Sequence, residues 1–355
     1  MKNIFYDFTH AAFESPAERE SKRRRLKALF SRVFLALFVY MLISQLLSTV
    51  IYTIAFIMMP EEQYAAFSDS AVATVLISCF AQYAVALPVL VLMLRGTDKA
   101  SPRPKERLSA KDLLLLVFIG EALMFAGNII GTVLNNVFGA LRGGAPDNNV
   151  AELVSEVPIY LILAVMVVIG PIVEELIFRK LMIDRLSIYG DRMAILFSAV
   201  AFGLIHANLY QFFYATLLGI LLGYVYTRTG NVKYTMLMHM VLNFLGSIVA
   251  LYAQNAMNEF YRLLELVNAG QPFDLPALSL NGLILFVYTN LQYGMVLGGA
   301  YALHHMLKTK QIRISGDKEI FVSNGDILKN GVNNVGAILF GALSMLLILF
   351  NLFIS

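Results

Sequence analysis

The sequence predicts an all-α fold, a polytopic membrane helix bundle of about eight to nine transmembrane helices. Three observations carry this. Of the 355 residues, 58% are hydrophobic and 14% charged, against about 45–50% apolar and about 25% charged in an ordinary soluble chain. The mean hydropathy is +0.69, and the apolar residues fall in runs long enough for a spanning helix, which needs about 20 of them. Basic residues gather between alternate runs, as they do on the inner face of a membrane. The composition excludes a soluble globular enzyme, a disordered chain, a disulfide scaffold and a nucleic-acid-binding domain. The net charge of +3 is explained by topology, so no nucleic-acid partner is expected.

Residues 1–32 read as a basic cytosolic tail, ending in Lys22, Arg23, Arg24, Arg25, Lys27 and Arg32. The first apolar run is too long for the core of a cleavable signal peptide, so none is expected. Residues 33–59 form the first span. Residues 71–94 form the second, with Pro88 inside it, a residue that membrane helices tolerate. Residues 113–138 form the third and carry one acid, Glu121. Residues 157–173 are the fourth and run directly into Glu174 and Glu175. Residues 193–227 are too long for one span, and His206, Asn208 and Gln211 divide them into two helices joined by a short turn. Residues 234–252, 280–307 and 335–354 complete the set. Cys79, the single cysteine, lies in an apolar run and reads as a packing residue. The glycine pairs 127/131, 219/223 and 294/298 are spaced for close helix contact.

With the tail inside, alternation places the connectors 95–112, 174–192, 228–233 and 308–334 in the cytosol. Their bases include Arg95, Arg107, Arg179, Arg185, Arg228, Lys308 and Arg313. The connectors 60–70, 139–156 and 254–279 fall outside and are more acidic, so charge and alternation agree at every loop. Within 308–334, residues 312–314 and 319–322 have the pattern of a short hairpin.

Ionisable groups inside spans are expensive and mark functional candidates. Glu175 and Arg179 are four residues apart on one helix face and can pair. Glu174 lies about 100° round the helix from Glu175 and stays available. Phe202 and His206 share a face, as do His239 and Asn243. Each set has a bland reading in helix packing or structural hydrogen bonding. Glu121 lies on one helix with Asn128, Asn135 and Asn136 and shares a face with Asn128; this set reads as lining a cavity or, by preference, as bonding neighbouring helices. One distance is awkward for a common site. A helix starting at Met193 carries His206 about 20 Å along its axis, whereas His239 lies about 9 Å beyond Lys233. The two meet only if the first of these helices is tilted, broken or begins inside the interface.

Glu-Glu-x-x-x-Arg, Phe-x-x-x-His and His-x-x-x-Asn follow one another on successive membrane helices. This ordered set resembles the CPBP family of intramembrane proteases, which includes type II CAAX prenyl endopeptidases and bacterial bacteriocin-processing and immunity proteins. The resemblance covers about residues 110–253. It implies an intramembrane endopeptidase cutting near the cytosolic face of a multi-pass protein, in the plasma membrane if the chain is bacterial. Prenylated CAAX proteins and leader-peptide-type substrates are the substrate classes it suggests. Carried over by position, Glu174 becomes the general base with His206 beside it, and together they activate a water. His239 and Asn243 become the oxyanion-stabilising or site-organising pair, supported by Glu175, Arg179 and Phe202. Desolvation moves a carboxylate toward the range useful to a general base.

Two cofactor readings stay open. Glu174, His206 and His239 are the ligands if a Zn2+ is bound, as in a metalloprotease; otherwise the water is activated directly, without metal. The domain reading is a tail over 1–32, a hairpin and basic loop over 33–112, a catalytic core over 113–253, an outer loop and helix over 254–307, a cytosolic loop over 308–334 and a last helix over 335–355. The expected partners are the lipid bilayer and a membrane-associated peptide or protein, with the oligomeric state open. A non-catalytic scaffold or immunity protein, and then a transporter, are the competing readings.

Overall fold

The computed structural model describes residues 15–102, 106–142, 156–315 and 317–353. Among them the chain is an all-α bundle. Eight of its helices are long and apolar enough to cross a membrane. In chain order the helices are α1 (Pro16–Met58), α2 (Glu61–Ser68) and α3 (Ala71–Met93). Then come α4 (Ala110–Arg142), α5 (Ile159–Tyr189), α6 (Asp191–Ile205) and α7 (Leu209–Thr229). The last are α8 (Val232–Asn268), α9 (Leu275–Lys308), α10 (Asn324–Val332) and α11 (Val335–Phe353). The ninth apolar segment is α6, whose 15 residues reach about 22 Å, short of a full span.

Helix α1 begins well before the first apolar run. Ser15 caps it, accepting from the Glu18 amide while the Glu18 carboxylate accepts from the Ser15 N–H, and Pro16 occupies the first turn, a reciprocal capping box. The described part of the basic tail and the first span are therefore one helix. Against its flank pack α3 and α11, while α4 packs against α7 and α9. The expected cytosolic connector 174–192 is not a loop. Helix α5 runs through it, and Arg179 and Arg185 are buried rather than set at a surface. Arg185 donates to the Leu181 and Leu94 carbonyls and to Thr97 Oγ1, so it ties α5 to the end of α3, and both arginines hold the bundle together.

Two prolines shape the helices around the future site. Pro lacks an N–H, and its ring crowds the carbonyl four residues back. In both cases the preceding turns widen to π-helix, over Phe80–Ala86 before Pro88 and over Ile162–Ile169 before Pro171. Leu87 donates five residues back to the Gln82 carbonyl, and Gly170 donates five back to Val165. Membrane helices accommodate proline by such local readjustment. Gly190, with φ 109, then breaks the chain between α5 and α6. This break lets α6 start at Asp191, only 2% exposed, whose carboxylate accepts from Ser187.

Close helix contact follows the glycines unevenly. A Cβ at Gly127 collides with the Tyr214 backbone of α7, and one at Gly219 comes within 2.9 Å of Ala199 in α6. The 294/298 pair departs from expectation. Gly294 faces open space, and Gly299 is the residue that admits the Phe118 backbone of α4. Asn128 and Asn135 also depart. Asn128 accepts from Thr132 and Asn135 donates to the Gly131 carbonyl, both within α4. Glu121 is buried between helices, and among the described residues no hydrogen bond joins it to a neighbouring helix. No strand occurs at 312–314 or 319–322. Instead the Glu319 and Ile320 amides both donate to the Ile188 carbonyl at the end of α5, because that carbonyl has no helical partner beyond the Gly190 break.

Two tests follow from this packing. Gly299→Leu forces α4 and α9 apart and lowers stability by about 1–3 kcal/mol, whereas Gly294→Leu leaves the melting temperature unchanged; thermal unfolding in detergent reads both. The second concerns Glu106, where Arg228 holds the carboxyl below the usual carboxylate range. Its pKa is depressed on folding, so the stability it lends is complete at neutral pH and is lost as pH falls through the folded-state value. The gap in melting temperature between wild type and Glu106→Gln therefore closes on acidification. Both side chains are substantially exposed, so the gap is small.

Candidate active site

The site is built on α5. Its helical run continues to Tyr189, so Glu174 lies near the middle of that run, about 23 Å from either end. Glu175 points into the bundle and Glu174 toward a cavity of about 420 Å³. Glu175 and Arg179 have side chains 0% exposed and pair through two parallel bonds of 3.0 and 3.2 Å. This forked geometry is the strongest available to a carboxylate and an arginine. A third guanidinium donor reaches Ser198 Oγ of α6 at 3.2 Å, and Ser198 in turn donates to the Phe178 carbonyl.

His239 of α8 bridges the two acids. Its Nδ1 lies 3.2 Å from Glu175 Oε1 and its Nε2 lies 3.5 Å from Glu174 Oε2. A carboxylate engaged by Arg179 only accepts, so Nδ1 carries the proton in that bond. The ring is thereby fixed with Nε2 toward Glu174. Glu174 itself is 28% exposed and opens on the cavity. Phe202 of α6, 1% exposed, is the common surface under the group. Its ring meets His206 at 5.0 Å, His239 at 5.7 Å and Phe178 at 5.1 Å, with the Arg179 guanidinium 5.2 Å from its centre.

His206 closes α6, and its Nδ1 lies 2.7 Å from the Phe202 carbonyl. A carbonyl only accepts, so Nδ1 bears the hydrogen and Nε2 keeps a lone pair on a residue that lines the cavity. The awkward distance between the two histidines disappears because α6 is short and starts at a buried residue. Asn243, one turn beyond His239, donates to the Met166 carbonyl at 2.9 Å. That carbonyl is free for a stated reason. In an α-helix it would accept from Gly170, but Gly170 reaches Val165 instead, and Pro171 has no N–H to offer. The second hydrogen and the oxygen of the Asn243 amide remain for the cavity. All seven expected residues are therefore close together. Glu174, Phe202, His206, His239 and Asn243 line the cavity, and Glu175 and Arg179 lie behind it.

Part of the cavity wall lies outside the sequence motifs. Helix α3 contributes Thr74, Ser78, Cys79, Gln82 and Tyr83, and α7 contributes Gln211 and Tyr214. Cys79 is half-buried, packs as expected against the apolar cluster of Val75, Ile162 and Ile248, and also lines the cavity. The available signal was the four-residue spacing of Thr74, Ser78 and Gln82, a polar stripe on one face of an apolar helix. Among the described residues, no three His, Cys, Asp or Glu side chains are gathered closely enough to hold a metal ion. The set Glu174, His206 and His239 is thus not gathered as a set of ligands.

Removing one member of the buried pair isolates the other. Arg179→Met leaves Glu175 uncompensated and costs about 3–5 kcal/mol of stability. The double variant Glu175→Leu/Arg179→Met recovers most of that loss in thermal unfolding, because no buried charge remains.

Comparison with known proteins agrees with this geometry. Residues 156–245, which hold all three motifs, match the Rce1-like family, described as type II CAAX prenyl endopeptidase Rce1-like. A Bacillus subtilis (strain 168) protein named "Putative membrane peptidase YdiL" is 29% identical over 159 residues, covering 44% of this chain and 64% of that protein. The chain thus spans slightly less than two thirds of that curated relative. No solved structure matches. The ordered motifs, the bundle that carries them and these two matches agree with the resemblance to the CPBP family of membrane proteins.

Proposed function

We propose that the chain is an intramembrane endopeptidase that hydrolyses a peptide bond with a water activated by Glu174 and His206. The observation that carries the reading is the arrangement of Glu174, His206, His239 and Asn243 on one cavity, with His239 fixed from behind by Glu175. A water between Glu174 and His206 gives one proton to the carboxylate and points its other hydrogen at His206 Nε2. Its oxygen lone pair then faces the scissile carbonyl. The water oxygen adds to the carbonyl carbon, and the C=O electron pair becomes an oxyanion. The free Asn243 N–H and a protonated His239 Nε2 are the donors for that charge. Collapse of the tetrahedral adduct restores the carbonyl and breaks the C–N bond, and the proton held by Glu174 passes to the leaving amine. Holding both donors before the reaction is what makes them effective.

The cavity also bears on the substrate. Apolar side chains such as Val75, Leu218 and Leu242 line it beside Thr74, Ser78 and Gln82. An extended peptide in a bilayer needs partners for its backbone groups, and the polar stripe of α3 offers them in the same cavity as Glu174. Peptides tethered to the membrane, of the prenylated CAAX or leader type, fit such a wall. The charge pattern of the loops supports a cytosolic opening.

The test uses the full chain in liposomes with prenylated and leader-type peptides. Glu174→Gln and His206→Ala are expected to abolish cleavage with the melting temperature unchanged. Asn243→Ala is expected to lower kcat by about 10²–10³-fold, the usual loss of one oxyanion donor. Cleavage undiminished in both Glu174→Gln and His206→Ala would sink the reading, and a cellular phenotype that survives them at normal protein levels would favour the scaffold.

A further inference from the structure

The turn that presents His206 is held in a conformation its own residues do not favour. Ala207, the next residue, has φ 51, in the left-handed region that glycine or asparagine adopts readily and alanine does not. Such a conformation persists only where its surroundings over-determine it. Two of the constraints are local. The Ala207 amide donates to the Leu204 carbonyl, and the Asn208 side chain caps α7 by accepting from the Tyr210 and Gln211 amides. The third comes from the far end of the chain. Asn351 of α11 donates from Nδ2 to the Ala207 carbonyl at 2.8 Å. Ala207 is buried, so this carbonyl cannot simply exchange the bond for bulk water.

The clamp has a rigid base. Helix α11 is seated on α1 at Gly336, where a Cβ would collide with the Ser31 carbonyl, and the Gly336 amide donates to Ser31 Oγ. Phe340, 1% exposed, packs its ring 5.8 Å from that of Phe34. Asn351 thus joins two parts of the molecule, the α1–α11 pair and the turn after His206. It lies outside the segment that matches the family, residues 156–245, and more than 100 residues beyond the last motif residue, Asn243.

We propose that Asn351 is a positioning residue of the site: its amide clamps the Ala207 carbonyl and fixes the direction in which His206 offers Nε2 to the cavity. The kinetic part of this inference rests on the endopeptidase reading, and the conformational part does not. Asn351→Leu keeps the approximate size of the side chain and removes the donor. Asn351→Asp keeps the shape and offers only acceptors when ionised, which serves if the leucine variant folds poorly. Ala207→Gly removes the steric penalty at φ 51.

The experiment measures hydrogen exchange, thermal unfolding and cleavage on the full chain in liposomes. In both Asn351 variants, amides of residues 204–212 are expected to exchange about tenfold faster, while those of α1 and α5 and the melting temperature stay as in wild type. Exchange reads such local opening directly. In the same variants kcat falls about tenfold with KM within twofold of wild type, and Ala207→Gly placed in the Asn351→Leu background recovers part of both losses. Unchanged exchange at the turn in a folded Asn351 variant overturns the clamp. Faster exchange with unchanged kcat overturns the positioning role and leaves the endopeptidase reading intact. If wild type cleaves no peptide, the reading of the reaction fails, and the exchange data still decide the clamp.

Discussion

A carboxylate and a guanidinium with no exposed surface govern this structure. Taking Glu175 and Arg179 out of water costs several kcal/mol for each, and their attraction offsets that only if every remaining donor and acceptor is satisfied. The required partners come from separate helices. Glu175 takes the Nδ1 hydrogen of His239 from α8, and Arg179 reaches Ser198 in α6. The Phe202 ring fills the space between guanidinium and imidazoles. Sliding α5 by one residue past α6 or α8 would break these bonds and leave a charge unpaired in an apolar medium. The register of three helices is therefore set by one ion pair, and the distances among the cavity-lining groups follow from it.

A second constraint acts through the backbone. Pro88 and Pro171 each remove a donor from a membrane helix, and the chain answers with wider turns over Phe80–Ala86 and Ile162–Ile169. Those turns border the cavity from two sides. Near Pro171 the unclaimed Met166 carbonyl becomes the anchor for Asn243. What is a deficit for the helix thus orients a side chain of the site. The same logic places the Ile188 carbonyl, left over at the Gly190 break, under the 319–320 segment, so the connector between α9 and α10 is tied to the end of the helix that carries both acids.

The sequence made legible those features that depend on neighbours a few residues away. Membrane spans follow from runs of apolar residues, and the pairs Glu175/Arg179, Phe202/His206 and His239/Asn243 follow from a spacing of four. Features set by contacts between distant segments were not legible. Arg179 and Arg185 look like ordinary basic residues at a cytosolic helix end, and only packing shows that they are buried. Gly294 and Gly299 differ by five residues in one apolar helix, yet only the second meets another backbone. The α3 wall was not legible because Thr74, Ser78 and Gln82 are individually unremarkable in a membrane helix, and their meaning comes from lining the same cavity as Glu174. The short reach of α6 was hidden because a continuous apolar segment does not announce where its first residue lies. Asn351 carried no signal, since nothing near it in sequence relates it to His206.

The adjacent acids show how far environment, and not residue type, assigns a role. Glu174 and Glu175 are chemically identical and share one helix, but about 100° of rotation separates them. Glu175 commits both oxygens to Arg179 and receives His239 as well, and with its side chain 0% exposed it has no route to solvent. Glu174 touches only the far nitrogen of the same imidazole, at 3.5 Å, and is open to the cavity. The buried acid therefore aims the histidine, and the histidine and the exposed acid face the same space. Exchanging the two faces by a one-residue shift in α5 would put the charge-paired acid in the cavity and strand the other against Arg179. A single glutamate could supply either the base or the anchor for His239, but not both, which is a physical reason for the motif to begin with two.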